Sequence, residues 1–517
     1  MPKYCDQLLE SMKDTVLNLN LPLIPASSYL LVFFISALIY VRFQGIPFLF
    51  RQPLRYLLLK VSTWLDDGPA FSQDPIGFLN ERIDHLGSVY RIKLGGIPVT
   101  VFNHMEGINW IVRDPTRSLS SYNLLAMIVR NVGAIDMPLS STLMTQLVRL
   151  VAHHFSARSF SEIAPCFNHY LRQELSHAYS ARSTDIPLSS FIGRSFYHAT
   201  SRAIWGPSYP LETYNFLHIV ETSILQLVTA PLCLRPQNVA NAQAQMQAAL
   251  GQFLDKSKEQ NYAGVPQIIA DFLEGFQASD LPQADLPAAL SGFLIAFQHN
   301  TTQLASWIII HFLSHPKLLA RLQEEVDRIV DVEFGGIHAL LAATPQHPGA
   351  LESPMIHSSL MECLRLSTAP VIIREVLVDT NIPVDKHRFT AVAAGELVMA
   401  NGVSLNFDNN LFDDPSTFRM DRFLGKEAWS PLAIAFGGGV HLCKGRDLAL
   451  FQLKMFMVLC IRMFNIEAKT EAGVSLVDHQ IKHESSKTMP TGVVVPAEEV
   501  YLTLSPRADM VLYESDI

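Results

Sequence analysis

Towards the C-terminus, Phe436-Gly-Gly-Gly-Val-His-Leu-Cys-Lys-Gly445 sets three consecutive glycines ahead of a single cysteine. The glycines permit a tight backbone turn with no side chains in the way. Cys443 falls just before Arg446 to Phe464, a run whose apolar residues recur at helical spacing. A thiol there meets amide N–H groups and the positive end of a helix, both of which favour the thiolate. The bland alternative is a glycine-rich turn with a bystander cysteine. The six cysteines, Cys5, Cys166, Cys233, Cys363, Cys443 and Cys460, form no CxxC pair and no dense pattern. That speaks against a disulfide scaffold or a structural zinc site and fits a reducing compartment.

Two further stretches carry groups able to do chemistry. Glu362-Cys-Leu-Arg365 puts an acid and a base three residues apart, so that on a helix they share a face and can pair. Taken alone, such a pair is most often a solvated surface pair. The uncharged run Leu286 to Pro316 has six consecutive polar residues, Gln298 to Gln303, at its centre. Those residues would be costly at mid-bilayer, so the run reads as a long helix buried through a soluble body rather than a membrane span. Asn300-Thr-Thr also spells a glycosylation sequon, which a buried helix on the cytoplasmic side makes irrelevant.

The elements around these residues come from the whole chain of 517 residues, 49% hydrophobic and 17% charged, with mean hydropathy +0.20. This composition excludes a disordered or fibrous chain. A net charge of −9 leaves no global basic field for a nucleic-acid backbone. Leu21 to Val41 is almost wholly apolar and long enough to cross ~30 Å of hydrocarbon as a helix. It is longer than a usual signal-peptide core and lacks a clear cleavage site, so an anchor is preferred to a cleaved signal. Arg42, Arg51, Arg55 and Lys60 follow it, whereas Lys3 and Lys13 before it are offset by acids, which puts the C-terminal body in the cytoplasm. The expected organisation is a lumenal tail at 1–20, a transmembrane anchor at 21–41, a linker at 42–69 and one body at 70–517. Pro316 to Val330 reads as a helix; Ser88 to Lys93 and Ile97 to Phe102 read as a hairpin, and Gly492 to Leu504 as another strand or hairpin. The body is expected to be mainly α with a small β-sheet.

The cysteine stretch resembles the haem-binding signature of cytochromes P450, F-x-x-G-x-[RH]-x-C-x-G, with Phe436, Gly439, His441, Cys443 and Gly445 in register. Glu362-x-x-Arg365 resembles the same family's E-x-x-R, and Pro415 to Phe423 resembles the segment that supplies a third partner, here Arg422. The resemblance covers roughly residues 70–505. It implies a cytochrome P450 fold behind an N-terminal transmembrane helix, making 70–517 a haem-thiolate catalytic domain. It also implies haem b held between the Cys443 loop and the central helix. Cys443 would be the axial thiolate ligand of the iron, whose electron donation favours O–O cleavage. Phe436 would lie in the haem-binding loop, and His441 and Arg374 would contact haem propionates. The Glu362 network would be structural, behind the haem.

The central helix departs from the pattern. Most oxygen-activating members carry [AG]-G-x-[DE]-T-[TS] there, whose acid and threonine deliver protons during dioxygen activation. This chain has Phe297-Gln298-His299-Asn300-Thr301-Thr302. Asparagine cannot relay a proton as a carboxyl does, though it can orient water. Thr301 and Asn300 are the catalytic candidates, Thr301 against the alternative of a threonine bonded back to a carbonyl one turn earlier. Gln298-x-Asn300-Thr301 with Trp307, and the late Thr488 to Pro496, resemble the branch containing sterol 7α- and 12α-hydroxylases and prostacyclin synthase. The third-helix W-x-x-x-R signal is unclear, since Met144 to His154 lacks the tryptophan; Arg149 is the nearest candidate.

What the resemblance implies for function is a membrane-anchored monooxygenase of the endoplasmic reticulum, single-pass with its catalytic domain cytoplasmic. It would use O2 and electrons from NADPH through NADPH-cytochrome P450 reductase; the chain has no dinucleotide fingerprint of its own. Lys444, Arg446 and Lys454 form a local basic patch that could receive the reductase, against a plain solvated face. Tyr122 to Met137, Ile295 to Gln298, Thr368 to Ile372 and Met489 to Thr491 would face substrate, and their apolar character suits a hydrophobic small molecule: a terpenoid, steroid-like or meroterpenoid compound of secondary metabolism. The missing acid keeps open an oxygen-independent isomerase or dehydratase acting on a peroxide. A non-catalytic haem-binding sensor is the alternative from another class.

Overall fold

The computed structural model describes residues 66–507, except 95, 136–138, 156–159, 181–184, 225–226, 228–234, 261–263, 278–280, 344–350, 352, 426–431, 478 and 483–491. The anchor expected at Leu21 to Val41, with the tail and most of the linker around it, lies outside the described residues. Among the described residues no helix is long and apolar enough to cross a membrane.

Long helices make most of the body. The central one, Leu286–Leu313, is buried along nearly its whole length. Outside its polar centre, its apolar residues lie all round rather than along one stripe, as a helix enclosed on every side requires. Two residues separate its end from Pro316, whose missing N–H is harmless in the first turn of the next helix, Pro316–Asp327. Packed against it are the helices Tyr122–Gly133, Gln237–Glu259, Pro354–Ser367 and Arg446–Met463. At two places backbones meet closely because glycine leaves room: a Cβ on Gly133 would stand 2.2 Å from Ala288 O, and one on Gly292 2.6 Å from Val129 O. The uncharged run is therefore the buried helix that its polar centre predicts.

Among the described residues, three small sheets flank the helices. Strands β1 (Val89–Leu94) and β2 (Ile97–Phe102) form the expected antiparallel hairpin, with Val89 opposite Phe102 and Leu94 opposite Ile97. They join β3 (Leu119–Ser120), β5 (Val371–Val376) and β8 (Leu397–Asn401) in the order β1-β2-β8-β5-β3, with β2 and β8 parallel. A second sheet orders β4 (Ile186–Pro187), β10 (Val500–Pro506) and β9 (Phe464–Thr470). A separate pair joins β6 (Thr380–Pro383) to β7 (Phe389–Val392). The late segment expected from Gly492 is strand only from Val500; nearer its start a single bridge pairs Val493 with Thr368. The helix after Cys443 ends at Met463, where Phe464 turns directly into β9.

A buried polar group is also built into the helical core. His299 Nδ1 lies 3.4 Å from Glu221 Oε1, with both side chains almost fully enclosed. Close by, Tyr197, Tyr209 and Thr213 share hydroxyl hydrogen bonds of 3.0–3.2 Å. Burial raises the pKa of all three neighbouring tyrosines, Tyr197, Tyr209 and Tyr214, so they stay neutral.

Candidate active site

The cysteine loop is shaped by backbone closure. Cys443 N–H donates to Phe436 O at 2.8 Å, pinching off the glycine-rich turn between them. Gly437 and Gly439 take φ of +69° and +57°, a region costly for residues with a Cβ. The turn lies against the end of the helix Met105–Arg113, where a Cβ on Gly438 would meet Val112 Cγ1 at 2.3 Å and one on Gly439 would meet Arg113 O at 2.6 Å. The glycines thus supply both the turn and the close approach.

Protein crowds Cys443 from most directions, yet the residue remains accessible. Burial pushes its thiol pKa up, against the opposite pull of a hydrogen bond from the Gly445 backbone and the charges of Lys444 and Arg446. Burial thus works against the thiolate that the sequence favours, while the Gly445 N–H and the two cationic side chains work for it. A metal ion bound at sulfur would reverse that balance, since a coordinating thiol is deprotonated outright. Cys166, Cys363, Cys443 and Cys460 are all free thiols, and among the described residues no cluster of His, Cys, Asp or Glu could itself hold a metal ion.

Between Ala288 and Ile310 the central helix exposes only Ala296, Phe297, Asn300 and Thr301. These positions, i, i+1, i+4 and i+5, share one face. Accessibility there, midway along a helix otherwise sealed in the core, requires an internal opening. Phe155 links the opening to the cysteine loop: its ring lies 5.6 Å from that of Phe297, and a Cβ on Gly445 would stand 3.6 Å from it. Of the residues expected to face substrate, Ala296 and Phe297 are on this open face. Ile295 and Gln298 are instead buried, Gln298 Nε2 donating to Ser201 Oγ at 3.1 Å. Thr368 to Ile372 are buried as well, and Met489 to Thr491 lie outside the described residues.

The two catalytic candidates already have partners. Thr301 Oγ1 donates to Gln298 O at 3.1 Å, the back-bonded arrangement weighed above. Asn300 Oδ1 accepts Val493 N–H at 2.9 Å. Arg149 is exposed on its helix, Ser141–His154.

Arg374 and His441 bear on whether a haem fits. Arg374 is buried; its Nη1 donates only to the adjacent Ile373 O, its Nε has no partner, and burial lowers its pKa to about 10. His441 Nδ1 is 3.0 Å from Ser121 Oγ, its ring stands edge-on to Tyr122, and its Nε2 is buried without a partner. Burial and the charge of Arg374 both lower the His441 pKa. Arg374 Nη2 lies 4.0 Å from the position of a Cβ on Gly437, so both side chains border the cysteine loop. Asp114 offsets only part of the burial cost of this guanidinium, and a buried cation beside unused donors calls for a further anion. The carboxylates of a haem meet that need, and the residues present fit the group. Ser121 and Phe155 carried no sequence signal, being assigned only by where distant segments converge.

Behind this region Glu362 and Arg365 are fully buried and bidentate, at 2.8 Å on each side. Arg422 Nε reaches Glu362 Oε1 at 2.8 Å, the third partner expected. The second positive charge is absorbed by carbonyls: Arg365 Nη1 donates to Asn406 O and Pro415 O, and Arg422 donates to Asp413, Asp414 and Thr417 O.

A cytochrome P450 family model matches residues 211–492, more than half of the chain. This chain belongs to the cytochrome P450 family. Prostacyclin synthase of Bos taurus is 20% identical over 448 residues, covering 79% of this chain and 86% of that protein. The 7-alpha-hydroxycholest-4-en-3-one 12-alpha-hydroxylase of Homo sapiens is 23% identical over 271 residues, 49% of this chain and 52% of its own. Steroid 21-hydroxylase of Sus scrofa is 30% identical over 191 residues, 37% of each chain. The chain thus spans about half or less of the two hydroxylases. P450 membership makes it an enzyme and implies a haem-thiolate cofactor.

Proposed function

We propose that this P450 is a membrane-anchored monooxygenase that inserts oxygen into a hydrophobic small molecule, with Cys443 as the axial ligand of haem b. The observation that carries the reading is the convergence, at one glycine-shaped loop, of the accessible Cys443 with the unpartnered Nε of Arg374 and Nε2 of His441. When bound, the haem supplies dioxygen activation, with thiolate donation favouring O–O cleavage.

The chain's own residues divide the remaining work. The Gly445 N–H, Lys444 and Arg446 favour negative charge on the Cys443 sulfur. Arg374 and His441 would hold the propionates. Phe436 closes the loop through its carbonyl and packs beside the core. Ala296 and Phe297 give the open face an apolar surface that excludes water and accepts a lipophilic scaffold. Thr301 keeps its proton on Oγ1, donated to Gln298 O, so towards the opening its hydroxyl first acts as an acceptor. The steroid hydroxylases among the relatives support a terpenoid, steroid-like or meroterpenoid substrate. Leu21 to Val41 would anchor the chain in the endoplasmic reticulum, with NADPH-cytochrome P450 reductase as electron donor. On the proposed docking face Lys444 Nζ donates to Val440 O and Arg446 pairs with Asp447 at 2.9 Å, so that patch is partly neutralised.

A second reading, an isomerase or dehydratase acting on a peroxide, is favoured by the lack of any carboxylate among the four residues of the open face. Incubating candidate terpenoids and peroxides with membranes that contain the protein, with and without NADPH and reductase, separates the two. Product only with both supports the monooxygenase; turnover of a peroxide without either would replace it.

A further inference from the structure

We infer that Asn300 is a positioning residue, locking the segment Gly492–Val494 against the open face of the central helix and so setting which ligands the opening accepts. Its Oδ1 accepts Val493 N–H at 2.9 Å. Seven residues along the same helix face, Trp307 Nε1 donates to Val494 O at 2.7 Å. The helix therefore grips consecutive residues of one extended segment through an acceptor and a donor. The other edge of that segment is tied to the turn after the E-x-x-R helix: Ala369 N–H donates to Gly492 O at 2.8 Å, and Val494 N–H to Ser367 O at 2.9 Å.

The contact at Asn300 is tight. A Cβ on Gly492 would lie 2.3 Å from Asn300 Oδ1 and 3.3 Å from its Cγ. Residue 492 is thus glycine because residue 300 carries a carbonyl at that height. An ionised carboxylate could accept the same N–H, whereas an aliphatic side chain would leave the N–H of Val493 unpaired in a half-enclosed site. The amide's orientation is fixed by its partner, because a backbone N–H needs an acceptor. At the place where oxygen-activating members carry a proton-delivering acid, this chain holds a structural acceptor facing its own backbone.

The inference rests on haem loading, which is checked separately by the CO-difference band of each variant. Full-length protein in membranes is titrated spectrally with 4-phenylimidazole and with the bulkier clotrimazole, whose nitrogen coordinates haem iron and whose rings probe the opening. Asn300→Asp keeps both affinities within about twofold, and Asn300→Ala weakens clotrimazole about fivefold or more. Gly492→Ala weakens it similarly in the wild-type background, and that added cost is relieved when residue 300 is already shortened, Asn300→Ser/Gly492→Ala binding no more weakly than Asn300→Ser alone. The relief reports direct contact, which a merely structural loss of stability would not give. Should Asn300→Ala lose haem, Gly492→Ala and its relief by Asn300→Ser carry the test. The inference is overturned if the two positions act additively, or if azole affinities are unchanged throughout while Asn300→Asp alone alters NADPH coupling.

Discussion

At the scale of single residues, Cys443 and Arg374 each hold a state that is unfavourable in the protein alone. The thiol is pushed towards its neutral form by burial, and the guanidinium is enclosed with an unpartnered Nε, its burial only partly offset by the charge of Asp114. Both are relieved by a bound iron porphyrin with two carboxylates. Arg374→Met is therefore expected to stabilise the haem-free chain, by about 1–3 kcal/mol in a denaturant melt, while lowering haem retention in the purified protein. A variant that loses haem and also melts earlier when stripped would show that Arg374 is held by groups inside the protein. His441→Leu should lower haem retention to a smaller extent, because one neutral donor is removed rather than a charge.

Thr301 is argued at the same scale. Its hydroxyl is engaged with Gln298 O, so Thr301→Val removes a group presented to the opening but no cavity-filling volume. Haem content and azole binding should stay near wild type, while product formed per NADPH consumed falls by severalfold. Unchanged coupling would remove Thr301 from the proposed chemistry.

At the scale of elements, the Glu362 network joins the helix Pro354–Ser367 to the loop that carries Arg422. Removing the carboxylate leaves two guanidiniums facing each other in a fully enclosed site. Glu362→Gln should cost about 3–5 kcal/mol, seen as loss of folded, haem-loaded protein on expression rather than as altered selectivity. Recovery of normal yields would mean that the carbonyls around Arg365 and Arg422 suffice without the acid.

The elements also show what could be read in advance. The central helix was legible because an uncharged run with a polar centre fits burial in protein and little else, and the β1–β2 hairpin because two alternating runs flank a Gly-Gly turn. The i,i+3 pair and the glycine-shaped cysteine loop were legible because each is local in sequence. The partnership of Asn300 with Val493 was not, since it joins segments 193 residues apart through one side-chain oxygen. Which of Ile295 to Gln298 face the opening was also hidden, because successive positions on a helix turn by about a quarter circle and apolar residues fit either side. The thiol's raised pKa is a sum over burial and charge that only packing decides.

At the scale of the whole molecule, a mainly helical body holds an opening beside its longest helix, with a glycine-shaped loop presenting one sulfur. Family membership settles that the protein is a P450 enzyme, while the haem ligand, substrate and electron route are proposals built on that geometry. The central claim is that Cys443 binds the haem iron. The measurement that tests it most directly is the CO-difference spectrum of the dithionite-reduced full-length protein and of Cys443→Ala. The wild type should show the red-shifted Soret band of a CO-bound haem-thiolate, and the variant should lack it even where haem is retained. Survival of that band in Cys443→Ala would contradict the account.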